Sequence, residues 1–316
     1  MEILGIIVPI FAIIVTGTIY TRLKILPEDT PSVLIQFAYY VLVPALLFIA
    51  IAQEKADNLL NIPYLTVLGG GIAGAFFLIM LGSYLFQRKG IGQATIVANC
   101  CVASNTGFVA LPILHAIFGH KAMLPAALAN IVVIIIFIIS MTILDNIQKN
   151  DSKDRKSAWI KIKDNLKNPI VSSTLLGIAF AASPFKLPVI VADYLNFLAA
   201  AMTPVALFAI GMLIRVESFR DNSATIIFAS IFKLIAMPAL IFTFAHLIGL
   251  HPLLTVAATI AAAVPTAKTV YIIAGKYNQS ADMVTSVISL TTLLSIVTLI
   301  IWLFILSHMY PAIFPG

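Results

Sequence analysis

Apolar runs follow one another almost without pause along this chain, and most are as long as a bilayer is thick. Ten can be delimited, at about 3–20, 33–53, 64–86, 92–118, 122–145, 168–184, 188–213, 223–248, 252–275 and 281–307. A helix needs roughly 20 apolar residues to cross the hydrocarbon core. The chain has 316 residues, of which 61% are hydrophobic and 10% charged, and its mean hydropathy is +1.06. A soluble domain of this size has no use for so much apolar surface. The fold class expected is an all-α membrane protein. The first run has no basic stretch before it and no small-residue cleavage site, so no cleavable leader is expected. No polar stretch exceeds a couple of dozen residues, which leaves no room for a soluble domain.

Basic residues set the predicted topology. With the N-terminus outside, 14 of the 19 Lys and Arg residues fall in inner loops, while Lys55, Lys121 and Lys186 fall in outer ones. Lys233 and Lys268 remain inside the membrane. Both termini are therefore expected outside. The longest polar stretch, 146–168, lies inside and reads as a topology anchor, not as a nucleic-acid site. Trp159 followed by Lys161 and Lys163 suggests a helix lying on the inner membrane surface. Cys100 and Cys101 read as small apolar filler.

The fourth run is interrupted by Ser104-Asn105-Thr106-Gly107-Phe108-Val109-Ala110-Leu111-Pro112. Asn and Thr compete with the helix for backbone bonds, Gly relaxes it, and Pro112 removes a donor. The helix is expected to open at mid-membrane and resume. Unwound backbone survives at that depth only inside protein or against a cavity, and broken helices are a recurring substrate-site device of transporters. The ninth run repeats the anomaly with Val264-Pro265-Thr266-Ala267-Lys268. The halves also correspond: Phe37, Pro44, Leu47 and Phe48 match Phe197, Pro204, Leu207 and Phe208 at a constant offset of 160 positions. The same offset carries Asn105 onto Pro265. Five runs per half is odd, so the second half must enter from the opposite side, as an inverted repeat.

If the interruptions cross, four half-helix ends meet. N-terminal ends offer N–H groups and partial positive charge. The candidate substrate site is Asn105, Thr106, Gly107, Pro112, Pro265, Thr266 and Lys268, with Asn130 either lining it or bonding across helices. Lys268 is read as attracting an anion, as compensating helix ends, or as snorkelling to an interface. Lys233 is a candidate for the pathway or for coupling, or it snorkels to the inner surface. Asn99 is a weaker analogue of Asn130. Pro44 and Pro204 are expected to kink their helices around the site, with Gln36 and Tyr39 facing it. His115 and His246 could relay protons but read more readily as bystanders. Gly69, Gly70, Gly71 and Gly74 predict close helix packing. No Asp or Glu falls in the middle of any run, which disfavours a cation substrate. No catalytic motif, metal site or cofactor signature is present, so no enzyme, cofactor or metal is expected.

On these motifs, together with Phe232-Lys233-Leu234, Met237-Pro238 and Ala274-Gly275-Lys276-Tyr277, the chain resembles the auxin efflux carrier family. That family includes bacterial malonate or malate permeases and is related to the plant PIN-FORMED carriers. The resemblance implies ten transmembrane helices in two inverted five-helix repeats, with broken helices four and nine crossing, as in sodium/proton antiporters and bile-acid symporters. It divides the chain into a first repeat at 1–145, a cytoplasmic loop at 146–167 and a second repeat at 168–316. In each repeat the first two helices form a scaffold and the last three a transport unit. It also implies an elevator mechanism, a homodimer through the scaffold, and residence in a bacterial-type cytoplasmic membrane. Its crossover asparagine matches Asn105, and its crossover prolines match Pro112 and Pro265. The plant carriers' long loop is reduced here to about 20 residues. The expected function is transport of small organic anions, mono- or dicarboxylates such as malate and malonate or auxin-like acids. The alternatives are a sodium-coupled symporter of the bile-acid type and a membrane receptor that binds an anion without moving it.

Overall fold

The computed structural model describes residues 2–54, 61–86, 90–147, 166–213 and 223–314. The loop from 148 to 165, with Trp159, Lys161 and Lys163, lies outside the described residues. Twelve helices follow in order: α1 (Glu2–Arg22), α2 (Thr30–Ala52), α3 (Ile62–Phe86), α4 (Ile91–Val102), α5 (Leu111–Phe118), α6 (Met123–Ile147), α7 (Pro169–Ala181), α8 (Val189–Met212), α9 (Ser223–Ile248), α10 (Pro252–Ala263), α11 (Thr269–Lys276) and α12 (Ala281–Met309). A π turn, Thr106–Ala110, leads into α5. Among the described residues, six helical stretches are long and apolar enough to cross a membrane: α2, α3, Thr106–Ile147, α8, α9 and α12. Val8–Arg22, α4, α7 and α10 are shorter apolar helices. The stretch Thr106–Ile147 is not straight. Gly119, with φ +59°, and a 3-10 turn reverse the chain between α5 and α6, which pack on each other.

Helix starts follow local rules. Asn61 and Asn168 accept N–H bonds from Tyr64 and Ile170, both at 2.9 Å, and His251 accepts one from Leu253 at 3.3 Å. A proline stands in the first turn after each, where its missing N–H costs nothing. Inside the membrane runs, prolines are absorbed differently. Pro44, Pro112 and Pro238 each follow a π turn, at Ala38–Leu42, Thr106–Ala110 and Phe232–Ala236. The wider turn makes room for the ring and for the bond it cannot make. Leu234, whose usual helical donor would be residue 238, accepts instead from Trp302 Nε1 at 3.0 Å.

Of the two prolines expected to kink their helices, Pro44 adjoins an irregular turn and Pro204 lies inside α8, helical on both sides of it. The structure corrects one sequence-based expectation, on the glycines of α3. Of the glycines expected to mediate close packing in α3, Gly71 would meet the Ile241 side chain if it carried a Cβ, whereas Gly69 and Gly74 face open space.

Two interfaces dominate one group of helices: α1 on α8, and α7 on α2, with α2 also against α8. Glycine brings the backbones together. A Cβ at Gly17 would overlap the Phe208 carbonyl, and one at Gly211 would overlap that of Ile14. Thr18 donates to the Gly211 carbonyl at 2.9 Å. On the other side a Cβ at Gly177 would lie 3.0 Å from Ile51 Cβ and 3.4 Å from the Phe48 carbonyl. The second group pairs α3 with α4 and α9 with α10, with α12 against both α9 and α10.

Candidate functional site at the helix crossing

Both expected interruptions are present, and they meet. α4 stops at Val102, and helix resumes at Thr106; α10 stops at Ala263, and α11 begins at Thr269. Between them the extended residues pair as a single antiparallel bridge, Ser104 with Thr266. The Asn105 N–H donates to the Pro265 carbonyl and the Ala267 N–H to the Ala103 carbonyl, both at 2.9 Å. Pro265 has no N–H to return a bond to Asn105. The Asn105 carbonyl instead accepts from Val109 at 3.1 Å and, closing the π turn, from Ala110 at 3.4 Å. Pro112 lies beyond the break, buried inside the resumed helix, so the opening is shorter than the sequence suggests.

Side chains fasten the crossing from behind. Thr266 is fully buried and donates through Oγ1 to the Cys100 carbonyl at 2.8 Å, while its N–H donates to Thr291 Oγ1 at 3.3 Å. Lys233 is also fully buried. Its Nζ reaches Ser104 Oγ at 2.9 Å and the Ala262 carbonyl at the end of α10. It therefore points into the crossing and not toward a membrane surface. Asn99 and Ser140 bond each other at 2.9 Å between α4 and α6.

In front of the crossing lie two cavities, of about 450 and 210 Å³. Asn105, Lys268, Ile210 and Leu213 line both. The smaller also meets Thr106, Gly107, Asn130, Tyr39 and Phe108. Asn130 Oδ1 accepts from Thr106 Oγ1 at 2.8 Å, and the Tyr39 and Phe108 rings stack with centroids 6.0 Å apart. The larger is apolar apart from the shared Asn105 and Lys268, the Tyr271 hydroxyl, and a row of hydroxyls on α12: Thr285, Ser289 and Thr292. Lys268 stands at the residue before α11 and lines both cavities, with no capping bond from its side chain. The start of α11 and the start of the Thr106 turn thus face the same space, and both present helix N-termini. Among the described residues, no Asp, Glu or Arg lines either cavity. The arrangement suits an anion: two partial positive helix ends, an ammonium, an amide and the hydroxyls of Ser289 and Tyr271, whereas those of Thr106, Thr285 and Thr292 donate within the protein.

Of the candidate residues, Asn105, Thr106, Gly107, Asn130, Lys268 and Tyr39 come together around this space. Pro265 and Thr266 form the wall behind it. Gln36 does not join them; it is exposed and bonds Ser32 at 3.4 Å. His115 binds Thr203 at 3.0 Å beside Pro112, and His246 is exposed. The sequence reading missed the α12 hydroxyls, whose spacing of three and four residues on an apolar helix marks one face. It also missed Ser104 as the partner of Lys233.

A family model described as "Membrane transport protein" matches residues 2–303. Among curated relatives, a protein of Rhizobium meliloti strain 1021 named "putative malonate transporter" is 26% identical over 94% of this chain and 93% of its own length. An uncharacterized transporter of Escherichia coli strain K12 is 27% identical over 96% of this chain and 97% of its own. Another, of Methanocaldococcus jannaschii, is 23% identical over 95% and 97%. With almost every residue matched, the chain belongs to this membrane transport protein family, that of the auxin efflux carriers, and is an integral membrane transporter and not an enzyme.

Proposed function

We propose that the protein is a secondary transporter of small organic anions, mono- or dicarboxylates such as malonate and malate or auxin-like acids, bound where the broken helices cross. The observation that carries this reading is the pair of cavities sharing Asn105 and Lys268 at two helix N-termini. The name of the Rhizobium relative agrees with it.

The transport cycle follows from an inverted repeat of ten helices, with α4–α5 and α10–α11 as the broken pair. The 160-position offset supports it at a point the sequence comparison did not use. Gly17 approaches the Phe208 carbonyl, and Gly177 approaches the Phe48 carbonyl. Adding 160 to 17 and 48 gives 177 and 208, so one contact maps onto the other with its partners exchanged. The α1–α8 and α7–α2 interfaces exchange in the same way. On this reading α1, α2, α7 and α8 are the scaffold, and the remaining helices carry the site as a moving unit, an elevator. A homodimer forms through the scaffold, whose α8 presents the exposed side chains Ile190 and Phe197. Both cavities reach Leu213, and the smaller reaches Asn168, residues that border the basic loops. With those loops cytoplasmic and both termini outside, this conformation opens inward across the cytoplasmic membrane. The lack of carboxylates in the lining favours proton coupling or none over sodium.

The test is thermal stabilisation of purified protein by a panel of carboxylates, beside Lys268→Ala. At a hundredfold excess over Kd a ligand adds about 2.7 kcal/mol to stability. One acid should stabilise the parent and not the variant. Equal effects on both would make Lys268 a structural charge without a ligand, and no effect on either would remove carboxylates as the substrate class.

A further inference from the structure

We infer that Lys233 is a proton-binding site linked to the anion site: its amine takes up a proton as an anion enters the cavity beyond Ser104 and returns it as the anion leaves. The inference rests on the anion-transporter reading for its physiological meaning, but not for its first test.

The geometry carries it. Lys233 is fully buried, yet one hydroxyl separates it from the substrate space: Ser104 binds its Nζ at 2.9 Å and also lines the smaller cavity. Its other partner is a main-chain carbonyl, that of Ala262. Three elements pack against its π turn from other parts of the chain. α4 brings Cys100 and Cys101, both buried; α10 brings no ionisable side chain; α12 has only Asp282 and His308, at its two ends. No carboxylate therefore stands beside Lys233 on these elements. An ammonium buried without a counter-charge is costly. A negative charge arriving within the same cluster lowers that cost, so anion and proton favour each other's binding.

Ser104 makes the link directional. When Lys233 is an ammonium, Ser104 Oγ must accept from it, and the hydroxyl hydrogen is free to turn toward the cavity and donate to an anion. When Lys233 is a neutral amine, the hydroxyl can donate to the nitrogen lone pair and turn away. The proton comes from hydronium in the cavity water: one O–H bond breaks as the N–H bond forms, and the reverse transfer to water returns it. One proton then travels with one anion, and a monoanion is carried without net charge.

Two measurements test this. The first needs no substrate: the pH dependence of unfolding, from about pH 6 to about pH 9, for the parent, Lys233→Met and Lys233→Arg. An unfolded lysine holds its proton throughout that range. If the folded amine gives its proton up, the parent's stability rises with pH by as much as tenfold per pH unit more than that of either variant. The arginine form keeps a permanent charge and serves if the methionine form does not fold. Parallel pH dependences in parent and variants would make Lys233 a fixed structural cation and overturn the proposal. The second measures proton uptake in weak buffer on adding acetate, malonate or malate. A probe that stabilises the parent should draw up to about one proton per chain, and none in Lys233→Arg. Binding without uptake would overturn the coupling. If no probe binds, the anion reading fails, while the first measurement still decides whether Lys233 titrates.

Discussion

At the scale of single residues, the crossing depends on a few buried hydroxyls and one buried amine. Thr266 Oγ1 holds the Cys100 carbonyl, and valine has the same shape without the donor. Thr266→Val should destabilise the protein by about 1–3 kcal/mol, because a buried carbonyl loses its partner; the shift in denaturation midpoint measures it. Lys268→Ala should cost less stability than Thr266→Val, since that side chain is exposed and lines the cavities. Asn105 and Lys268 were legible in the sequence because polar residues stand out in apolar runs. The direction of Lys233 was not. One residue turns a helix by about 100°, and the π turn at Phe232–Ala236 adds a residue to one turn, so the face its side chain occupies cannot be counted from the helix end. Gln36 and Tyr39 show the same limit. Both stand within two turns of Pro44, yet only Tyr39 faces the site.

Between elements, contact is set by where glycine permits it. Gly17→Ala and Gly211→Ala each push a methyl group into a carbonyl of the facing helix and should cost about 1–3 kcal/mol or more, since backbone cannot step aside. Gly69→Ala is the control. Nothing lies within 4 Å of its Cβ position, and removing a flexible glycine from a helix should be neutral or favourable by roughly 0.5–1 kcal/mol. The same glycines show why element boundaries were easier to read than interfaces. Apolar run length marks a span whatever it packs on. In the Gly69–Gly71 cluster, Gly69 and Gly70 end the π turn Thr66–Gly70 and only Gly71 packs tightly, while the closest backbone approach falls to isolated glycines in α1 and α8.

For the whole molecule, accessibility from one side is the reading most open to test. Ser289→Cys sits in the larger cavity, and the native Cys100 and Cys101 are buried. A membrane-impermeant thiol reagent should label Ser289→Cys from the side of the basic loops in this conformation. Protection there, with labelling from the opposite side, would reverse the assigned orientation. A last consequence concerns biogenesis. The Ser104–Thr266 bridge joins residues 162 positions apart, from 266 − 104. Until α10 and α11 are made, the carbonyl of Ala103 and the N–H of Asn105 lack their partners at membrane depth, and lipid supplies none. The first half must therefore wait, held by the insertion machinery or by transient contacts, for a strand synthesised much later. A chain ending at Ile147 should be cleared by membrane proteases far faster than the full protein, a difference that pulse–chase labelling would show.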